Sequence, residues 1–160
     1  MARRAEELLG AGGRILLVMV PATLGLLGVG VWNGAWFPPA VRRVGAPAGA
    51  VLVLLGFAVI FRAFAVLRAA READRLCTNG PYAHVRHPLY AAWIWLVLPG
   101  ATLLVGLWTL VPAAPLMAVL TWRSLPLEEE ALREAYPQQY AAYAAAVPAL
   151  WPRLRPHGWD

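Results

Sequence analysis

Two stretches of this 160-residue chain hold nearly all of its reactive side chains. The first reads Thr78-Asn79-Gly80-Pro81-Tyr82-Ala83-His84-Val85-Arg86-His87-Pro88-Leu89-Tyr90, placing two imidazoles, a guanidinium and two phenols close together. The second begins at Glu128-Glu129-Glu130 and continues through Leu132, Tyr136, Tyr140, Tyr143 and Val147. Carboxylates suit ammonium groups and hydroxyls, and the planar fork of an arginine suits a carboxylate. On composition alone the first stretch is an interfacial loop with aromatic anchors, and Glu129 with Arg133 is a helix ion pair worth about 0.3–0.5 kcal/mol. Glu130 and Glu134 read as solvated, and His157 as an inert tail residue. The single cysteine, Cys77, excludes an intrachain disulfide and a multi-cysteine metal site, and no metal is expected.

The elements that carry these stretches are written in the hydropathy. Hydrophobic residues make up 60% of the chain and charged residues only 14%, too little polar surface for a soluble domain of this size. An apolar block over residues 15–37 is long enough to cross a bilayer and ends near Trp32 and Trp36, with Pro38-Pro39 as its stop. A second block covers residues 46–67, with Arg62 inside it, and leads into a polar segment over 68–88. Residues 89–122 carry no charge and are too many for one span, so a tight hairpin of two spans is expected. Gly106 with Trp108 marks one turn position, Pro99-Gly100 another. In the tail, residues 123–160, Leu132, Tyr136, Tyr140, Tyr143 and Val147 fall on one helical face, and Pro137 predicts two short helices meeting there. The expected fold is an all-α integral membrane protein, a single membrane domain of about four transmembrane helices with a C-terminal cytoplasmic helical segment.

Four spans put both termini on one side. That side holds Arg3, Arg4, Arg14, Arg68, Arg71, Arg75, Arg86, Arg123, Arg133, Arg153 and Arg155, whereas Arg42 and Arg43 stand on the other. The positive-inside rule then places both termini and the motif loop in the cytoplasm, in a bacterial inner membrane. The net charge of +5 is explained by arginines flanking apolar blocks at headgroup level, so nucleic acid is not an expected partner. Nothing in the sequence identifies a protein partner.

The string Gly80-Pro81-Tyr82, then Val85-Arg86-His87-Pro88, then Tyr90, together with Glu128-Glu129, Leu132, Tyr136, Tyr140, Tyr143, Val147-Pro148 and Pro152, resembles the isoprenylcysteine carboxyl methyltransferase family, related to the membrane phospholipid N-methyltransferases. The resemblance covers about residues 48–153. It implies membrane helices that hold S-adenosylmethionine at the cytoplasmic face, enclosed by the Arg-His-Pro loop, the helices after it and the C-terminal segment. By position it implies that His84, Arg86, His87, Pro88, Tyr90, Glu128 and Glu129 contact the cofactor, with Arg86 and Glu129 at the centre of the chemistry. Arg62, Tyr140 and Arg153 are candidates for the substrate side. Pro137 stands where the family often has glycine, and Glu130 leaves the register of the acidic pair ambiguous.

The expected activity is methyl transfer to a lipophilic, membrane-borne acceptor, such as an isoprenylcysteine-like carboxylate. A phospholipid amine and a thiol remain open as acceptors. A sterol-reductase-like enzyme and a non-catalytic membrane scaffold are the rival readings.

Overall fold

The computed structural model describes residues 2–153, with side chains from residue 12 onward. Arg155 and His157 lie outside the described residues, as do the side chains of Arg3 and Arg4. Six helices follow one another: α1 (Ala2–Trp32), α2 (Pro39–Glu72), α3 (Pro88–Ala92), α4 (Leu98–Val105), α5 (Ala113–Ala135) and α6 (Pro137–Ala146). Helices α3 and α4 are joined by one π-helical turn at Trp93–Val97 into a continuous span. Among the described residues, four segments are long and apolar enough to cross a membrane: Gly12–Trp32, Pro39–Glu72, Pro88–Val105 and Trp108–Ala135. The chain is an integral membrane protein with an all-helical fold.

The outer surface of the bundle is apolar. Leu17, Leu54 and Phe61 are exposed, a pattern that fits lipid as solvent. Inside, α1 packs on α5 and α2 on α4. Ile15 and Met19 of α1 meet Ile94, Leu98, Ala113 and Met117 in one core cluster. Contact between α2 and α4 depends on small residues: a Cβ added at Gly49 would lie 2.5 Å from the Gly100 carbonyl oxygen and 2.6 Å from the Leu104 nitrogen. Such close backbone approach replaces the hydrophobic driving force that lipid cannot supply.

The hairpin between the third and fourth spans turns at Gly106, whose φ of +79° suits glycine. Pro99-Gly100, the other candidate turn, lies inside helix α4. Pro99 lacks an N–H and its ring crowds the carbonyl four residues back. The preceding π turn, in which the Leu98 N–H bonds the Trp93 carbonyl, accommodates that crowding. Opposite, the turn after α1 pairs with the hairpin: the Phe37 N–H donates to Gly106 at 2.8 Å and the Trp108 N–H to Ala35 at 3.2 Å.

Helix α2 runs beyond its apolar block to Glu72, where Arg68 Nε lies 2.9 Å from Glu72 Oε1. In the tail two helices meet at Pro137 as expected, but the first of them is not short. No separate short helix begins after Arg123; α5 continues from inside the span to Ala135, and only α6 is short. The reason is the buried stripe Ala113, Met117, Thr121, Leu125 and Glu129, which repeats every four residues and carries the helix past the polar boundary.

Candidate functional site

The loop between α2 and α3 is built by proline and glycine. A 3-10 turn at Gly80–Ala83 opens with Gly80 at φ +61° and Pro81 behind it. Pro88 then occupies the first position of α3, where its missing N–H costs nothing. His87 is thereby fixed at the mouth of the third span, and Tyr90 follows on the first turn of the helix. On the facing side, Glu128 and Glu129 project from α5 as it leaves the membrane.

These two stretches meet. The His87 ring lies between the two carboxylates, with Nδ1 3.6 Å from Glu128 Oε2 and Nε2 3.4 Å from Glu129 Oε1. Tyr90 donates its hydroxyl to Glu128 Oε1 at 2.6 Å. Arg86 Nη2 lies 3.1 Å from Glu129 Oε1, and Arg133 Nη2 lies 3.4 Å from Glu129 Oε2. His87 and Glu129 are buried. Glu130, by contrast, is an exposed partner of Arg133 at 3.2 Å. The two carboxylates that face the loop are thus Glu128 and Glu129.

Arg86 Nε is buried without a hydrogen bond, as is Thr121 Oγ1 two helical turns below Glu129, while the buried Tyr140 hydroxyl is directed at the Glu129 carboxylate. Tyr140 is fully buried beside Glu129, and the Arg133 guanidinium lies 5.9 Å from its ring centre. Burial, reinforced by the Glu129 carboxylate, pushes the Tyr140 hydroxyl up to about 12, so it is a proton-bearing donor at neutral pH. A buried donor without an acceptor is costly, at about 1–3 kcal/mol. Arg86 Nε, beside the acidic pair, is such a donor, so the polar capacity of the site is only partly used among the described residues.

Residues 147–153 close the site from outside. The Arg86 and His87 N–H groups donate to the carbonyls of Pro148 and Ala149 at 2.9 and 3.1 Å, and the Arg153 N–H donates to His84 at 3.0 Å. His84 Nδ1 in turn lies 2.9 Å from the Arg153 carbonyl oxygen. Trp95, in the π turn, donates Nε1 to the Leu150 carbonyl at 2.9 Å and meets Trp151 edge-on at 4.6 Å. The strap is anchored at its base by Tyr140, Tyr143 and Val147 packed on Leu76, and by the Tyr143 hydroxyl donating to the Tyr82 carbonyl at 2.8 Å. Burial raises the Tyr82 and Tyr143 hydroxyls above the usual tyrosine range. It also raises the Cys77 thiol, leaving it a packing residue.

Of the residues singled out in the sequence, Arg86, His87, Tyr90, Glu128, Glu129 and Tyr140 converge. Pro88 is buried beneath them as the helix start. His84 and Arg153 pair with each other in the strap, where the Arg153 side chain also donates to the Ala146 carbonyl. Arg62 is exposed on α2, off the buried stripe of Ile60 and Ala63, and is not brought to the cluster. Sequence reasoning passed over Trp95, Thr121 and the backbone of Pro148 and Ala149. Thr121 carried a usable signal, a hydroxyl four-residue steps from Glu129 on an otherwise apolar stripe; backbone pairing carried none.

Three comparisons bear on this arrangement. The cobalt-zinc-cadmium resistance protein CzcN of Cupriavidus metallidurans is 29% identical over 88% of this chain and 62% of its own length. The nickel-cobalt-cadmium resistance protein NccN of Alcaligenes xylosoxydans xylosoxydans is 27% identical over 88% of this chain and 63% of its own. Protein-S-isoprenylcysteine O-methyltransferase B of Arabidopsis thaliana is 31% identical over 63% of this chain and 56% of its own. The chain thus spans about six tenths of the length of these relatives. No solved structure matches it. The isoprenylcysteine carboxyl methyltransferase profile matches residues 48–134, a stretch that takes in both the Arg-His-Pro loop and the acidic pair, and the chain belongs to that family.

Proposed function

We propose that this chain is a membrane methyltransferase that uses S-adenosylmethionine to methylate a lipophilic acceptor at the membrane face where Arg86 and Glu129 meet. The observation that carries this reading is the convergence of the loop at residues 84–90 with Glu128 and Glu129 at the ends of the spans. The residues present suit the cofactor. Its ammonium and ribose hydroxyls call for carboxylate acceptors, which Glu128 and Glu129 supply. Its carboxylate calls for a cationic or neutral donor, and Arg86 Nε is a buried donor without a hydrogen bond. The chemistry supplied by the bound cofactor is an activated methyl group, so the chain is asked for positioning more than for acid or base help.

Within this reading Glu129 holds Arg86 and Arg133 in place, His87 keeps the two carboxylates apart, and the strap excludes water. The acceptor enters from the lipid, since the cluster stands at the mouth of two apolar spans. A carboxylate like that of isoprenylcysteine is the preferred acceptor, because it attacks without first losing a proton, as an amine must. The arginine distribution supports a cytoplasmic location for the cluster and both termini in an inner membrane.

The test is methyl transfer by the purified protein in nanodiscs, from labelled cofactor into added membrane extract. Label in the lipid fraction that is released by mild base marks an ester. Base-stable label marks N- or S-methylation. Failure to bind S-adenosylhomocysteine by calorimetry, with no label incorporated, defeats the proposal.

A further inference from the structure

At the end of the bundle away from the cluster, a groove of about 330 Å³ is lined by Pro39, Arg42, Arg43, Ala46, Leu103 and Leu104. That volume lies within the range of small-molecule sites. It lies beside the Gly106 hairpin turn, and its two arginines open α2 while its leucines close α4. We propose that this groove holds the phosphate of an anionic phospholipid, drawn from the leaflet opposite the carboxylate cluster.

The first argument is charge. The chain has no Asp or Glu between residues 12 and 71 or between 75 and 127. Among the described residues, neither Arg42 nor Arg43 has a carboxylate partner, and they stand side by side at one groove. No described carboxylate neutralises this pair, so it is free to take an anion from outside. The second argument is order. The Arg42 guanidinium lies 5.0 Å from the Trp36 ring centre, and its stem crosses Gly106 so closely that a Cβ there would meet Arg42 Nε at 3.0 Å and Cγ at 3.2 Å. One arginine is thus held by stacking and by the turn beneath it, so little side-chain freedom remains to be lost on binding. The third argument is depth. Trp32, Trp36 and Trp108 are exposed around the same end, and exposed indoles sit at headgroup level. Apolar Leu103, Leu104 and Ala46 then face the glycerol and upper acyl chain, with the arginines at the phosphate.

Native mass spectrometry of the full chain, released from detergent after exposure to equal phosphatidylglycerol and phosphatidylcholine, tests this. The wild type should keep the anionic lipid in clear excess. Arg42→Gln and Arg43→Gln should each lower that retention about fivefold, the effect of one basic residue near an anionic surface. Arg43 is exposed, so the effect of Arg43→Gln stands even if Arg42→Gln unfolds. Arg68→Gln, which removes a charge already paired with Glu72, should change nothing. Equal retention of the two lipids overturns the proposal, as does an equal loss in Arg68→Gln or full retention in Arg43→Gln. Displacement of the lipid by millimolar inorganic phosphate would reassign the groove to a free anion and overturn the lipid assignment.

Discussion

Arg86 and Glu129 form a buried ion pair, Nη2 to Oε1 at 3.1 Å, with side chains only 14% and 11% exposed. The pair joins the loop before the third span to the end of the fourth. A charge pair so placed contributes less by attraction than by the penalty of separating it, because either partner left alone is an unpaired buried charge.

Glu129→Gln should therefore destabilise the protein by about 3 kcal/mol, and it should also weaken S-adenosylhomocysteine binding. Glu130→Gln, at an exposed site, should stay within about 0.5 kcal/mol of wild type. Thermal unfolding in detergent, with calorimetry for the ligand, separates the two. Equal, small effects would mean that Glu129 is merely the i, i+4 partner of Arg133.

Tyr90 and Glu128 should be coupled. Their 2.6 Å contact is a charge-assisted hydrogen bond, worth about 1.5–3 kcal/mol when its acceptor is ionised. A double-mutant cycle of Tyr90→Phe and Glu128→Gln should return a coupling of that order. Additive losses would show that the two side chains act independently.

Tyr140 sets an alkaline limit. Its hydroxyl is raised from 10 to about 12 by burial and by Glu129. A folded state that holds its proton more tightly than the unfolded chain has its full stability below pH 10 and loses it as pH rises through 12. Stability should fall over that window, and Tyr140→Phe should flatten the fall. Circular dichroism against pH in the two proteins reads the difference directly; parallel curves would count against it.

Gly49 admits almost no side chain. With a Cβ placed 2.5 Å from the Gly100 carbonyl, Gly49→Leu forces α2 and α4 apart and should cost about 1–3 kcal/mol or more. Gly13→Leu, where a Cβ meets nothing within 4 Å, should be neutral. Resistance to unfolding in detergent compares them.

Much of this architecture was legible in the residues. Spans are set by the length of apolar blocks, and Gly106 stood out as a turn because its neighbours are apolar and uncharged over a stretch too long for one helix. The meeting of Arg86 and His87 with Glu128 and Glu129 was foreshadowed by the two motifs in order, though no periodicity relates positions so far apart. What escaped the sequence is what backbone makes. The carbonyls of Pro148 and Ala149 hold the loop whatever their side chains, so composition carried no trace of them. His84 resembled its neighbours in type, yet its ring pairs with the Arg153 backbone and not with the carboxylates. Helix α5 ran past Arg123 because a buried stripe continued on one face while the opposite face turned polar.

The loop at Arg86 and His87 takes its amide acceptors from the far end of the folded chain, at Pro148 and Ala149. Those acceptors follow all four spans in chain order, so insertion of the helices alone leaves the two amides unpaired until residues 148 and 149 fold back onto the loop.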